Sequence, residues 1–117
     1  MNYLDLLKWA LANASEVKPL IEDTQAFIAV PLTPAVAKVE ASFAVQRRLA
    51  AIYDSLPLEK QQALVAGSVE AMDASALTAA EGEFEAQGLG DVLAKLKELW
   101  PVIKPFLPIL IGIITKA

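Results

Sequence analysis

The sequence predicts an all-α fold, a small up-and-down bundle of four to five helices with a hydrophobic, proline-bent C-terminal helix. Three observations carry this. Apolar residues recur at steps of three and four along most of the chain, the spacing of one helix face. The hydrophobic fraction is 56%, above that of average soluble chains, and much of the excess is alanine, the best helix former. Glycine and proline fall mostly at the joints between these periodic segments or in the tail, and no low-complexity linker is visible. At 117 residues the chain is expected to form a single helical domain over residues 1–117.

The first segment reads as a kinked or broken helix over about Asn2–Val30. Asn2 suits a cap, and Leu4, Leu7, Leu11 and Ala14 follow at helical spacing. Leu7, Ala14, Ile21 and Ile28 would form one stripe if the helix continued. Asn13-Ala-Ser15 reads instead as a stop and restart, and Pro19 removes a backbone donor just beyond it.

Pro31-Leu-Thr-Pro34 is the clearest boundary. Thr33 as N-cap with Pro34 at the first helical position predicts a helix from Pro34 to about Ser55. Val39, Phe43, Val45, Leu49, Ile52 and Tyr53 occupy one broad side of it. Glu40, Arg47 and Asp54 cluster opposite, with Arg48 at the edge.

Ser55-Leu-Pro57 breaks the chain again. Leu58, Val65 and Met72 then repeat every seven residues, with Leu64 and Val69 alongside and Gly67-Ser68 weakening the middle. Asp73–Leu77 reads as a turn. Thr78-Ala-Ala-Glu81 has capping-box spacing for a short helix to about Gln87, and Gly88-Leu-Gly90 ends it. Asp91 is then expected to cap a last helix beginning at Val92. The predicted core is Leu7, Leu11, Ile21, Ile28, Phe43, Leu49, Ile52, Val65 and Val69.

The last segment, Leu99–Thr115, is the one run apolar on every side, with Lys104 as its single charge. Such a segment is expected in a membrane or surrounded by protein. Pro101, Pro105 and Pro108 share one side of a helix and predict a bend around Trp100–Pro108, or a break at Trp100–Pro101. Seventeen helical residues reach roughly 25 Å, short of a hydrocarbon core of about 30 Å. Trp100 and Lys97 at one end and Lys116 at the other resemble interfacial anchors.

Charge is divided between two regions. Residues 1–90 hold six Lys/Arg against twelve Asp/Glu, whereas residues 91–117 hold four against two. An acidic body with a basic, apolar tail does not suit nucleic acid, which needs a Lys/Arg face. It suits an anionic membrane surface, or an acidic patch on a sister copy.

Chemistry has little to work with. Cysteine and histidine are absent, so there is no thiolate, no imidazole and no His/Cys metal site. Serines have no histidine to activate them. Glu81, Glu83 and Glu85 read as a solvated acidic face, and Arg47-Arg48 point about 100° apart and form no single clamp. Gly88-Leu-Gly90 lacks the spacing of a phosphate loop and reads as helix termination. No catalytic residue, cofactor, metal or small-molecule substrate is expected. The N-terminus has no basic region ahead of its apolar residues, so it is not read as a signal peptide.

The sequence carries no family resemblance close enough to name. It points to a non-enzymatic structural or assembly protein, oligomeric, whose apolar C-terminal helix packs on sister subunits or on a membrane. A small component of a larger particle, such as a virion, would fit. The alternative is a small pore-forming or membrane-lesion protein. The expected contact residues are Trp100, Pro101, Ile103, Lys104, Pro105, Phe106, Leu107, Pro108, Ile109, Leu110, Ile111, Ile113 and Ile114.

Overall fold

The computed structural model describes residues 9, 12, 15–66, 82, 85, 86, 88 and 90–116. Among these, five helices and no strand are present, an all-α bundle as the periodicity predicts. In chain order they are α1 (Val17–Ala29), α2 (Ala35–Ser55), α3 (Leu58–Val65), α4 (Gly90–Ile103) and α5 (Phe106–Thr115).

The first helical stretch is broken rather than continuous. Ser15 and Glu16 form a turn, and α1 starts at Val17. Pro19 therefore lies in the first turn, where its missing N–H would have found no helical partner. α1 buries Val17, Leu20, Ile21 and Thr24. The Thr24 hydroxyl is satisfied locally, donating to the Leu20 carbonyl at 2.7 Å.

The joint after α1 stands where the prolines place it, with one correction. Pro34 itself occupies the N-cap position, in extended geometry at ψ 143°, and Thr33 makes no cap. The Pro34 carbonyl opens the helix by accepting from the Ala37 N–H. Lys38 closes the preceding helix instead. Its ammonium donates to the carbonyls of Phe27 and Val30 and lies 4.1 Å from the centroid of the Phe27 ring.

One continuous core joins α1, α2, α4 and α5. It consists of Val17, Leu20, Ile21, Val45, Leu49, Leu96, Leu99, Ile103, Phe106 and Leu110. A smaller cluster, Leu56 and Leu64, fixes α3 with help from Trp9, Tyr53 and Ile111. The Gln61 side-chain amide ties α3 to the end of α2 by donating to the Tyr53 carbonyl at 2.8 Å.

Ile21 and Leu49 are in the core as expected, and Ile52 packs against it. Ile28, Phe43 and Val65 are not: all three are exposed. The apolar side of α2 is too wide for one groove. Val45 and Leu49 turn inward, and Val39 and Phe43, about a third of a turn further round, face outward. In α3 the buried position is Leu64, so Leu58 and Val65 of the seven-residue stripe lie outside. Leu7, Leu11, Val69, Met72, the turn at Asp73–Leu77 and the Thr78–Glu81 capping box lie outside the described residues.

Gly88 acts as the expected stop. Its φ is +76°, a conformation that favours glycine, and its N–H donates to the Glu85 carbonyl. α4 begins at Gly90 rather than Val92, so Asp91 sits in the first turn and does not cap. Gly90 leaves room for Glu85: a Cβ there would meet the Glu85 Cγ at 2.8 Å.

Candidate interaction surface

The tail is two helices. α4 and α5 are bent by 67° at a break over Lys104 and Pro105. The break lies inside the stretch where three prolines predict a bend, and not at Trp100–Pro101, since Pro101 is accommodated within α4. Proline chemistry accounts for the position. Pro108 has no N–H to offer the Lys104 carbonyl, which accepts instead from the Leu107 N–H at 3.2 Å, a tighter turn. Pro105 likewise leaves the Pro101 carbonyl without its usual helical donor.

Packing holds the bend from the inside. Phe106, the first residue of α5, meets Phe27 of α1 edge to face, with ring centroids 5.5 Å apart. α5 then lies against α2 and α3. Each turn sends one side inward. Ile103, Phe106 and Leu110 are buried, while Trp100, Leu107 and Ile114 pack on the main core and Ile111 on the smaller cluster.

The other side is open. Pro101, Lys104, Pro105, Pro108, Ile109 and Ile113 are exposed, Ile109 at 48% and Ile113 at 59%. Gly112 adds backbone to this face and has nothing within 4 Å of where a Cβ would stand. The thirteen tail residues expected in one contact surface thus divide into seven that build the fold and six that face away from it. Inside the chain this segment is covered on one side only. The outer face of α5 carries no charge between Lys104 and Lys116.

No single described helix is long and apolar enough to cross a membrane; α4 and α5 together meet that length and composition, with the 67° bend between them.

A second exposed apolar area was not expected. Leu32, Val36, Val39 and Phe43 lie open along the corner before α2 and on its outer face, Leu32 at 80% and Val36 at 68% exposure, with Ile28 beside them in sequence order at the end of α1. The available signal was the breadth of the apolar side of α2, wider than a single core contact can absorb.

Arg48, Ser42 and Ser55 among the polar candidates have structural partners. Arg48 Nε donates to Asp23 Oδ2 at 2.9 Å and links α2 to α1, so the Arg47-Arg48 pair is divided between a tether and an open side chain. The Ser42 and Ser55 hydroxyls donate to carbonyls of their own helix. Glu85 is exposed, and Glu81 and Glu83 lie outside the described residues. Among the described residues no three acidic side chains are grouped to hold a metal ion. No family model, curated protein or solved structure matches this chain.

Proposed function

We propose that this protein is a non-enzymatic assembly protein that works as an oligomer, docking through the outer face of α5 onto sister copies or onto a membrane. The observation that carries the reading is the division of α5. Phe106 and Leu110 anchor it in its own bundle, and Pro105, Pro108, Ile109 and Ile113 are held outward with no charge among them. An apolar face presented on a fixed helix suits recognition better than chemistry. The lysines at its two ends, Lys104 and Lys116, suit an acidic partner surface or anionic lipid.

The test leaves the core intact. Full-length protein and the Ile109→Glu/Ile113→Glu variant are compared by light scattering without detergent and by flotation with anionic vesicles. The reading expects the variant to lose oligomer mass or vesicle binding while keeping its helical circular dichroism. Equal mass and equal flotation for the two proteins would overturn it.

A membrane-lesion activity is the second reading, supported by the joint length and apolar character of α4 and α5. It requires dye release from vesicles by the intact chain, and that release must disappear in the same variant.

A further inference from the structure

We infer that the outer face of α2 is a second, independent interface, and that its occupant is α2 of another copy of this chain, paired antiparallel about a twofold axis. The face is defined by position. At 100° per residue, Val36, Glu40, Phe43, Arg47 and Asp54 fall within about 60° of one another, with Val39 on the near flank, so Phe43 sits beside the charged residues of α2 and not opposite them as expected from the sequence. All six are exposed. Neither Glu40 nor Arg47 has an ion-pair partner among the described residues.

Charge chooses the occupant and its direction. Glu40 and Arg47 are seven residues apart, about 10 Å along the axis, too far to pair within one helix. An antiparallel twofold centred between Phe43 and Ala44 brings each Glu40 level with Arg47 of the second copy, so one contact is made twice. The same register sets Phe43 level with Ala44 and Val36 level with Ala51 of the second copy, large side chains against small ones. A parallel pair would set Glu40 against Glu40 and Arg47 against Arg47. A membrane would have to cover Glu40, Arg47 and Asp54 along with the apolar residues, a costly burial of charge. An isologous pair matches Glu40 and Arg47 with no further partner and leaves Asp54 at the open end of the contact, level with Thr33, and the twofold is the commonest symmetry of soluble oligomers.

This interface shares no residue with the α5 face, so the two are tested separately. Sedimentation velocity is run on the full chain carrying Ile109→Glu/Ile113→Glu, which removes the α5 contact. A concentration-dependent dimer is expected in that background, and a monomer at all concentrations overturns the inference. Adding Glu40→Arg or Arg47→Glu should each weaken the dimer by about tenfold, since two pairs become repulsive. The double reversal Glu40→Arg/Arg47→Glu should restore it. Single reversals without effect, or a double reversal without recovery, would refute the pairing. Circular dichroism on each variant separates loss of association from loss of fold. Register is read independently. The chain has no cysteine, so a spin label at Asp54→Cys reports one distance. Antiparallel pairing places the two labels about 30 Å apart along the axis, whereas about 10 Å would mark a parallel pair and sink the inference.

Discussion

Phe27 and Phe106 meet edge to face at an interplanar angle of 80°, joining the end of α1 to the first residue of α5. Phe27 is engaged on a second side by the Lys38 ammonium. The bend between α4 and α5 is thereby connected to the joint between α1 and α2, although the residues are far apart in sequence.

Phe106→Ala should be the most damaging single change in the tail, about 3–5 kcal/mol in urea unfolding, because the residue is buried in the main core. Phe27→Ala should cost less, since that ring is only half-buried. A double-mutant cycle should return a coupling of about 1 kcal/mol, the share belonging to the ring pair. Full additivity would mean that the two rings do not act together.

Lys38→Met keeps much of the stem and removes the charge that closes α1. The carbonyls of Phe27 and Val30 lose a charged donor and the Phe27 ring loses its cation. A loss of about 1–2 kcal/mol is expected, reduced from the buried limit because the group is partly solvated. An unchanged urea midpoint would show that water replaces the ammonium without cost.

Two glycine substitutions should move stability in opposite directions. Gly88→Ala forces a side chain into φ +76° and should cost about 1 kcal/mol. Gly112→Ala stands in a helix with open space around it and should gain roughly 0.5–1 kcal/mol. Thermal melts of the two variants supply the comparison, and shifts of the same sign would contradict the local geometry.

A chain ending at Glu98 should not fold cooperatively. Truncation there removes Leu99, Ile103, Phe106 and Leu110, four of the ten residues in the main core. Far-UV circular dichroism with a urea titration checks this: a sharp transition in the truncated chain would show that α1 and α2 hold a core without the tail.

The joints were legible in the sequence because backbone chemistry makes them. Proline at Pro31, Pro34 and Pro57 and glycine at Gly88 restrict what the chain can do next, whatever packs nearby. Which apolar face meets which neighbour is not a local property. Leu49 and Phe43 are equally apolar and belong to one helix, yet Leu49 is buried in the main core and Phe43 is exposed. The same limit applies to the tail. Its apolar character on all sides was plain, but hydrophobicity does not say that Phe106 and Leu110 would be taken by the bundle and Ile109 and Ile113 left out. The Thr33 and Asp91 caps failed for a simpler reason: each helix begins one or two residues from where its capping side chain would have to stand.

Because α5 contributes its inner side to the core, leaving the bundle and losing stability are one event for this helix. Any surface that takes α5 whole must outbid Leu49, Val45 and Phe27 for Phe106 and Leu110. The two processes are therefore linked reciprocally. Trimming the receiving side, as in Leu49→Ala, would release the helix more often. Tightening that side would keep it seated. The bundle thus acts as a thermodynamic latch on its own most apolar segment, and the strength of the latch is set by the buried residues of the main core.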